Sequence, residues 1–296
     1  MHEENKLKLE RVLNFRPIDD VFFEVLATNL EVCQEILQTI LEDPELIVKE
    51  SIVQNSEGNI FGRSVRLDAL CILGDGTNVN VEVQRSNNDD HLRRARFNAS
   101  AITFNESNKG EKFEDILELY IVYISEFDFL RGGKTIYHID KVCRETGRVI
   151  DDGLHEIFVN TAIDDGSDIA ELMSCFIKKD FYNEKFPKLS EEVHRLKTTE
   201  GGAKAVSEVM DIYLREARDE ATLIGLAQGL EEGRIKGLEE GMAQGLEEGM
   251  AQGLEEGRLQ MIASLIRKGR ISLKDGAEEL NISVEELKKL MVDAGY

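Results

Sequence analysis

The feature that most limits what this chain can fold into is a pair of short apolar runs, VRLDALCIL at 65–73 and NVNVEVQ at 78–84, joined by Gly74-Asp75-Gly76-Thr77. Asp-Gly is a hairpin-turn dipeptide because glycine tolerates positive φ. Ser64 to Leu73 and Asn78 to Gln84 therefore read as two antiparallel strands. Each carries a carboxylate among apolar neighbours, Asp68 in the first and Glu82 in the second. Residues i and i+2 of a strand face one side, so Glu82 and Gln84 point together while Val81 and Val83 point away. The hairpin folds Asp68 back beside them. An isolated carboxylate in such a setting is costly unless paired or metal-bound. Two that converge suit Mg²⁺, which takes a few carboxylate oxygens and fills its shell with water and phosphate. An ion held there would lower the pKa of a bound water and shield a phosphate from it. As a bare pattern, Asp-x13-Glu-x-Gln is also compatible with the polar outer face of a hairpin.

Around this hairpin the apolar spacing predicts alternating helices and strands. Phe22, Val25, Leu26, Leu30, Cys33, Leu37, Ile40 and Leu41 recur at helical intervals, so Asp19 to Leu41 is expected as one amphipathic helix, with Asp19 placed to cap it. Leu46 to Val53 reads as a strand, Asn88 to about Asn105 as a helix, and the β-branched run Ile116 to Ser125 as a central strand. Lys134 to Val142 and His155 to Thr161 are expected as later strands, Ile169 to Lys178 and Leu189 to about Arg218 as helices. Helices interleaved with strands predict an α/β class, a mixed sheet flanked by helices.

From Gly225 to Gly257 glycine recurs every fourth residue, and GLEEGMAQ repeats as a unit. Each interior glycine costs a helix about 1 kcal/mol relative to alanine, yet the intervening Leu, Met, Ala, Glu and Gln favour helix. The segment is either a helix whose small residues admit a second helix or a flexible acidic tether. Beyond it, Leu259 to Lys268 is a compact helical stretch. Ile271 to Leu290 reads as two short helices turning at Asn281-Ile282-Ser283, with Ser283 and Glu286 forming a capping box. The layout is that of a helix-turn-helix, but Glu285 and Glu286 stand where a recognition helix would meet phosphates. A small helical cap or oligomerisation piece is the alternative. The expected organisation is a main domain over 1–218, the repeat over 219–258 and a small helical segment over 259–296.

Composition narrows the function classes. A length of 296 residues allows one large domain or two ordinary ones, and no apolar run is long enough to span a membrane. The start, Met1-His2-Glu3-Glu4, lacks the basic and apolar regions of a secretory leader. Cys33, Cys71, Cys143 and Cys175 show no CxxC spacing, which points to core thiols in the cytoplasm. The five histidines are dispersed, and HExxH, GxxxxGK[ST] and GxSxG are all absent. A formal charge of −22 opposes a broad grip on nucleic acid. Locally, however, Arg63, Arg66, Arg85, Arg93, Arg94 and Arg96 crowd around the two carboxylates, as a basic cleft on an acidic protein would require.

The block VRLDALCIL–GDGT–NVNVEVQ, followed by HLRRARFNASAI, resembles the core of the PD-(D/E)XK nuclease family transposases, including the Rpn-type recombination-promoting nucleases. Asp19-Asp20-Val21-Phe22 resembles that family's N-terminal D-x-x-F helix. LYIVYISEFDF and LHEIFVNT are similar to its central and closing strands, and the glycine-glutamate repeat to its usual C-terminus. The resemblance implies a restriction-endonuclease-like mixed sheet with a helical C-terminal extension, and hydrolysis of DNA phosphodiesters with Mg²⁺ or another divalent cation such as Mn²⁺ or Ca²⁺. It implies Asp68 and Glu82 as metal ligands and Asp19 as a third carboxylate near them, although an N-cap role suits Asp19 as well. Gln84 stands where the wider superfamily has lysine; it offers hydrogen bonds without charge. Arg93, Arg94 or a second metal is expected to supply the missing cation, and Arg93, Arg94 and Arg96 are candidate phosphate contacts or a solvated helix face. Phe23 departs from the pattern, since relatives commonly carry lysine there. The rival expectation is a nuclease-fold protein without catalysis that serves oligomerisation or partner binding.

Overall fold

A computed structural model describes residues 10–57, 65–87, 90–107, 110, 112–116 and 118–296. Arg63 and residues 1–4 lie outside them. The chain divides into two compact units, Met1–Glu216 and Ala217–Tyr296.

The first unit is built on a six-stranded mixed sheet of order β1-β2-β3-β4-β8-β5. Strands β1 (Val48–Glu57), β2 (Val65–Leu73) and β3 (Asn78–Gln84) are antiparallel neighbours. β4 (Leu119–Ser125) and β8 (Leu154–Asn160) continue the sheet in parallel, and β5 (Ile136–Ile139) closes it antiparallel to β8. The β2–β3 turn forms as expected: Gly76 has φ 98, and Asp75 Oδ1 accepts from the Thr77 N–H at 2.9 Å. The expected single strand over 134–142 is instead two elements. Its second half, β6 (Lys141–Cys143), leaves the sheet to pair with β7 (Arg148–Ile150) in a separate hairpin.

Both faces of the sheet are covered, which is why its central strands read as nearly continuous apolar runs. Val79, Val81 and Val83 of β3 join one core with helices α1 (Asp20–Leu26), α2 (Leu30–Ile40), α4 (Asp168–Phe176) and α5 (Pro187–Thr198). The opposite core receives Ala95, Ala99 and Ile102 of α3 (His91–Glu106), packed with Leu70, Ile121 and Tyr123. The long helix expected over 19–41 is broken in two. Asn29 has extended backbone and its side chain accepts from the Glu31 N–H, restarting the helix one turn after Leu26. Asp19 occupies the N-cap position of α1 but makes no capping hydrogen bond. The helix expected over 189–218 breaks at Thr199. There Gly202 admits a close approach, because a Cβ on it would lie 2.5 Å from Leu196 Cα.

The glycine repeat is helical, within α6 (Glu200–Arg267). At about 100° per residue, each four-residue step advances the glycine stripe by roughly 40°, so over its length the stripe winds around the helix instead of holding one face. In the second unit, α7 (Leu273–Leu280) and α8 (Val284–Asp293) follow as expected. The full capping box, however, is formed by Ser272 and Asp275 at the start of α7. Ser283 accepts from the Glu286 N–H. No helix among the described residues is long and apolar enough to cross a membrane.

Candidate active site

The site begins where β2 and β3 stop pairing. Their ladder runs from Ile72↔Asn78 to Ala69↔Val81. At the next position the Asp68 side chain replaces a backbone acceptor, its Oδ2 taking the Val83 N–H at 2.9 Å. In return the Asp68 N–H donates to Glu82 Oε1 at 3.4 Å. Asn80, two residues earlier on the same face of β3, donates from Nδ2 to Glu82 Oε1 at 3.1 Å. The two carboxylates are thus locked together, and both are buried. Gln84 completes the row, half-buried at the rim.

From α3, Arg94 reaches across this row. Its Nη1 donates to Gln84 Oε1 at 2.8 Å and its Nη2 lies 3.4 Å from Glu82 Oε2. Of the arginines the sequence singled out on this helix, Arg94 is the one that meets the carboxylates. Arg93 pairs with Asp90 at 3.2 Å, and Arg96 is exposed. Arg85 turns the other way, to Asp19 Oδ1 at 2.6 Å and Glu126 Oε2 at 3.3 Å. Arg16 bridges the same two carboxylates. Phe23 is buried against Phe176 and brings no charge.

Burial, reinforced by the charges of Glu82 and Asp20, holds the Asp68 carboxyl well above the usual carboxylate range, against the pull of the Val83 N–H and Arg94. Burial also raises Glu82, although Arg94 and Asn80 oppose it. Asp20, the acidic residue that sequence reasoning passed over in favour of Asp19, is itself raised by desolvation and sits within electrostatic reach of Arg94. Its position just after the D-x-x-F aspartate was the available signal. Asp19 instead anchors an ion network, its Oδ2 accepting from the Arg16 N–H at 2.7 Å. The segment carrying both aspartates is tied down by Lys197, whose Nζ donates to the carbonyls of Leu13, Phe15 and Lys179. Burial lowers that ammonium to about 8.

A cleft of about 280 Å³ opens beside the row, lined by Phe15, Asp19, Asp20, Gln84, Arg85 and Tyr213 among others. Asp68 and Glu82, both buried, do not line it; Gln84 does. A second grouping of potential ligand atoms occurs at Glu118, Asp151 and His155, mutually within 4.8 Å. It lies at the start of β4 and β8, where His155 pairs with Tyr120, whereas Gln84 pairs with Ser125 at the far end of β4. At about 3.3 Å per residue, some 16 Å of strand separates the two places.

Two carboxylates and a glutamine thus stand at the end of a sheet hairpin, with an arginine from the following helix beside them. The model of the PD-(D/E)XK nuclease family transposases matches residues 18–163, and that segment is similar to the family. No curated protein and no solved structure matches the chain.

Proposed function

We propose that the chain is a divalent-metal-dependent DNA endonuclease that hydrolyses phosphodiester bonds, with a role in recombination or mobile elements of the Rpn kind. The observation that carries this reading is the mutual lock between Asp68 and Glu82, two buried carboxylates held side by side where β2 and β3 separate. Their chemistry fits a hard divalent cation, since all donors are carboxylate oxygens and Asp20 adds a third negative group nearby. Asp68 and Glu82 would hold Mg²⁺, Mn²⁺ or Ca²⁺. When bound, such an ion supplies Lewis-acid polarisation of the phosphate and eases deprotonation of water.

The chain's own residues do the rest. Asn80 and the Asp68 N–H orient Glu82 by occupying Oε1, which leaves Oε2 toward Arg94. Arg94 supplies from α3 the fixed positive charge that Gln84 lacks, placed to meet charge developing on a phosphate oxygen. Gln84, its carbonyl held by Arg94 and one amide N–H donated to the Ser86 carbonyl at 3.0 Å, keeps its second N–H to orient an attacking water. Arg16, Arg85, Asp19 and Glu126 fix the start of α1, which carries Asp20.

DNA is the proposed partner in the cleft. A second copy of the chain along the glycine repeat is supported by the open space over each of its glycines and by the exposure of Leu230, Leu238, Met242 and Leu246. Four free cysteines suit a reducing cytoplasm. One observation favours a second reading, a catalytically inactive fold used for interaction: Glu82 is fully buried and already neutralised by Arg94. Supercoiled plasmid with Mg²⁺ or Mn²⁺, with EDTA, and with the Asp68→Ala/Glu82→Ala variant separates the two. Metal-dependent nicking that the variant loses supports the nuclease; an inactive wild type, or a variant that nicks equally, supports the interaction protein.

A further inference from the structure

We propose that the outward face of α3 is a stacking surface for single-stranded DNA that leads away from the active site; this rests on the nucleic-acid reading above. The rotation of α3 is set by its inner face, where His91, Ala95, Asn98, Ala99 and Ile102 are buried. The opposite face presents Arg93, Arg96, Phe97, Ser100 and Phe104, all exposed. Phe97 is 41% exposed and Phe104 82%. Seven residues apart, the two rings share one stripe of the helix, about 10 Å from each other along its axis.

Such a stripe would be a liability on a surface that only water meets, since phenyl rings gain from being covered. Charge identifies the cover. In a chain of net charge −22, α3 carries Arg93, Arg94 and Arg96 against one carboxylate of its own, Glu106 at its far end, although Arg93 also meets the N-cap Asp90 at 3.2 Å and Arg94 meets Glu82. Arg96 has no acidic partner among the described residues. An isologous pairing of two copies would set these arginines against each other, whereas a phosphate backbone neutralises them. The surface is also continuous with the site, because Arg94 on the same helix holds Gln84 and Glu82.

The rings select the strandedness. In a duplex the bases are stacked inside and an exposed phenylalanine finds only sugar and phosphate. In a single strand each unpaired base offers a face, and aromatic rings interleaved with arginines stack on them without regard to sequence. The active site would then receive DNA that is already unpaired, or whose end frays along α3.

Fluorescence anisotropy of the full chain in EDTA, with labelled oligothymidylate and a duplex of equal length, tests this apart from cleavage. The single strand binds more tightly. Phe97→Ala/Phe104→Ala weakens it roughly tenfold or more while changing duplex affinity less than about twofold. Arg93→Ala/Arg96→Ala weakens both and lowers the single-strand salt slope by about 1.4. Tighter duplex binding, equal losses on both substrates from the phenylalanine variant, or a dimer that this variant dissociates would each overturn the proposal. If plasmid nicking stands while the phenylalanines have no effect, this inference alone fails. Single-strand binding that behaves as stated without metal-dependent nicking removes the nuclease reading instead.

Discussion

Arg94→Ala tests the electrostatics of the site before any substrate is involved. Glu82 is fully buried and its Oε2 lies 3.4 Å from Arg94 Nη2. At an effective dielectric near 20, unit charges at that distance attract by about 5 kcal/mol. Arg94 is one-third exposed, so solvent screening leaves a loss of about 2–3 kcal/mol on removing it. The loss depends on pH with a definite sign. Burial already raises Glu82 in the folded protein, and without Arg94 it rises further. A carboxyl raised on folding favours the fold below its ordinary value and loses that contribution as pH climbs through the folded one. The deficit of Arg94→Ala is therefore smaller at about pH 5 than at about pH 7.5. Urea denaturation in EDTA measures it by tyrosine fluorescence, because the chain has no tryptophan and five of its six tyrosines lie in residues 1–216. Adding Glu82→Gln to Arg94→Ala recovers most of the stability, since the stranded charge is gone. Simple additivity of the two substitutions, or a deficit unchanged between the two pH values, would refute the reasoning.

Asp68→Asn keeps an acceptor for the Val83 N–H while removing a charge that burial, Glu82 and Asp20 all oppose. It is expected to stabilise the metal-free protein by about 1–2 kcal/mol at neutral pH. The gain shrinks toward acid, where the wild-type carboxyl is protonated; paired thermal melts at two pH values read it, and a loss of stability would contradict the prediction. The same melts with Mn²⁺ added raise the wild-type midpoint and leave that of Asp68→Asn/Glu82→Gln unmoved, because only the native state of the former binds the ion. Gly237→Ala with Gly241→Ala raises helix content on circular dichroism by removing about 1 kcal/mol of helix penalty per site. If a second copy packs on the glycine stripe, sedimentation shows that the substitutions weaken the assembly.

The hairpin of the site was legible in the sequence: apolar runs of strand length, a turn that demanded Gly76, a carboxylate in each strand, and an i, i+2 spacing that placed Glu82 with Gln84. Its consequence for Asp68 was not. That a carboxylate would take the place of a carbonyl in the ladder depends on β2 and β3 diverging, which no spacing records. The arginines show the same boundary. Arg93, Arg94 and Arg96 are nearly equivalent as sequence, and only the rotation of α3, decided by which side buries Ala95 and Ala99, turns Arg94 inward. Asp19 and Asp20 were also interchangeable on paper. Once Asn29 breaks the helix and Arg16 and Arg85 claim Asp19, Asp20 is left on the side of Asp68. Local elements followed from periodicity; choices between adjacent like residues were made by tertiary ion pairs.

The net charge, which argued against a DNA substrate, takes on a different meaning once it is located. Residues 217–296 carry 16 acidic and 10 basic side chains, so −16 of the total −22 belongs to residues 1–216 and the acid is not confined to the repeat. At the site five carboxylates, Asp19, Asp20, Asp68, Glu82 and Glu126, are interlaced with three guanidinium groups, Arg16, Arg85 and Arg94. The cluster is formally two charges negative, the deficit that one divalent cation balances; burial raises the Asp68 carboxyl first, and the charges of Glu82 and Asp20 add to it. Phosphate is therefore repelled from the site until a cation enters. Non-specific grip through long-range charge is unavailable to such a protein, so the DNA contact proposed above would be short-ranged: through a bound ion, through Arg94 and along α3.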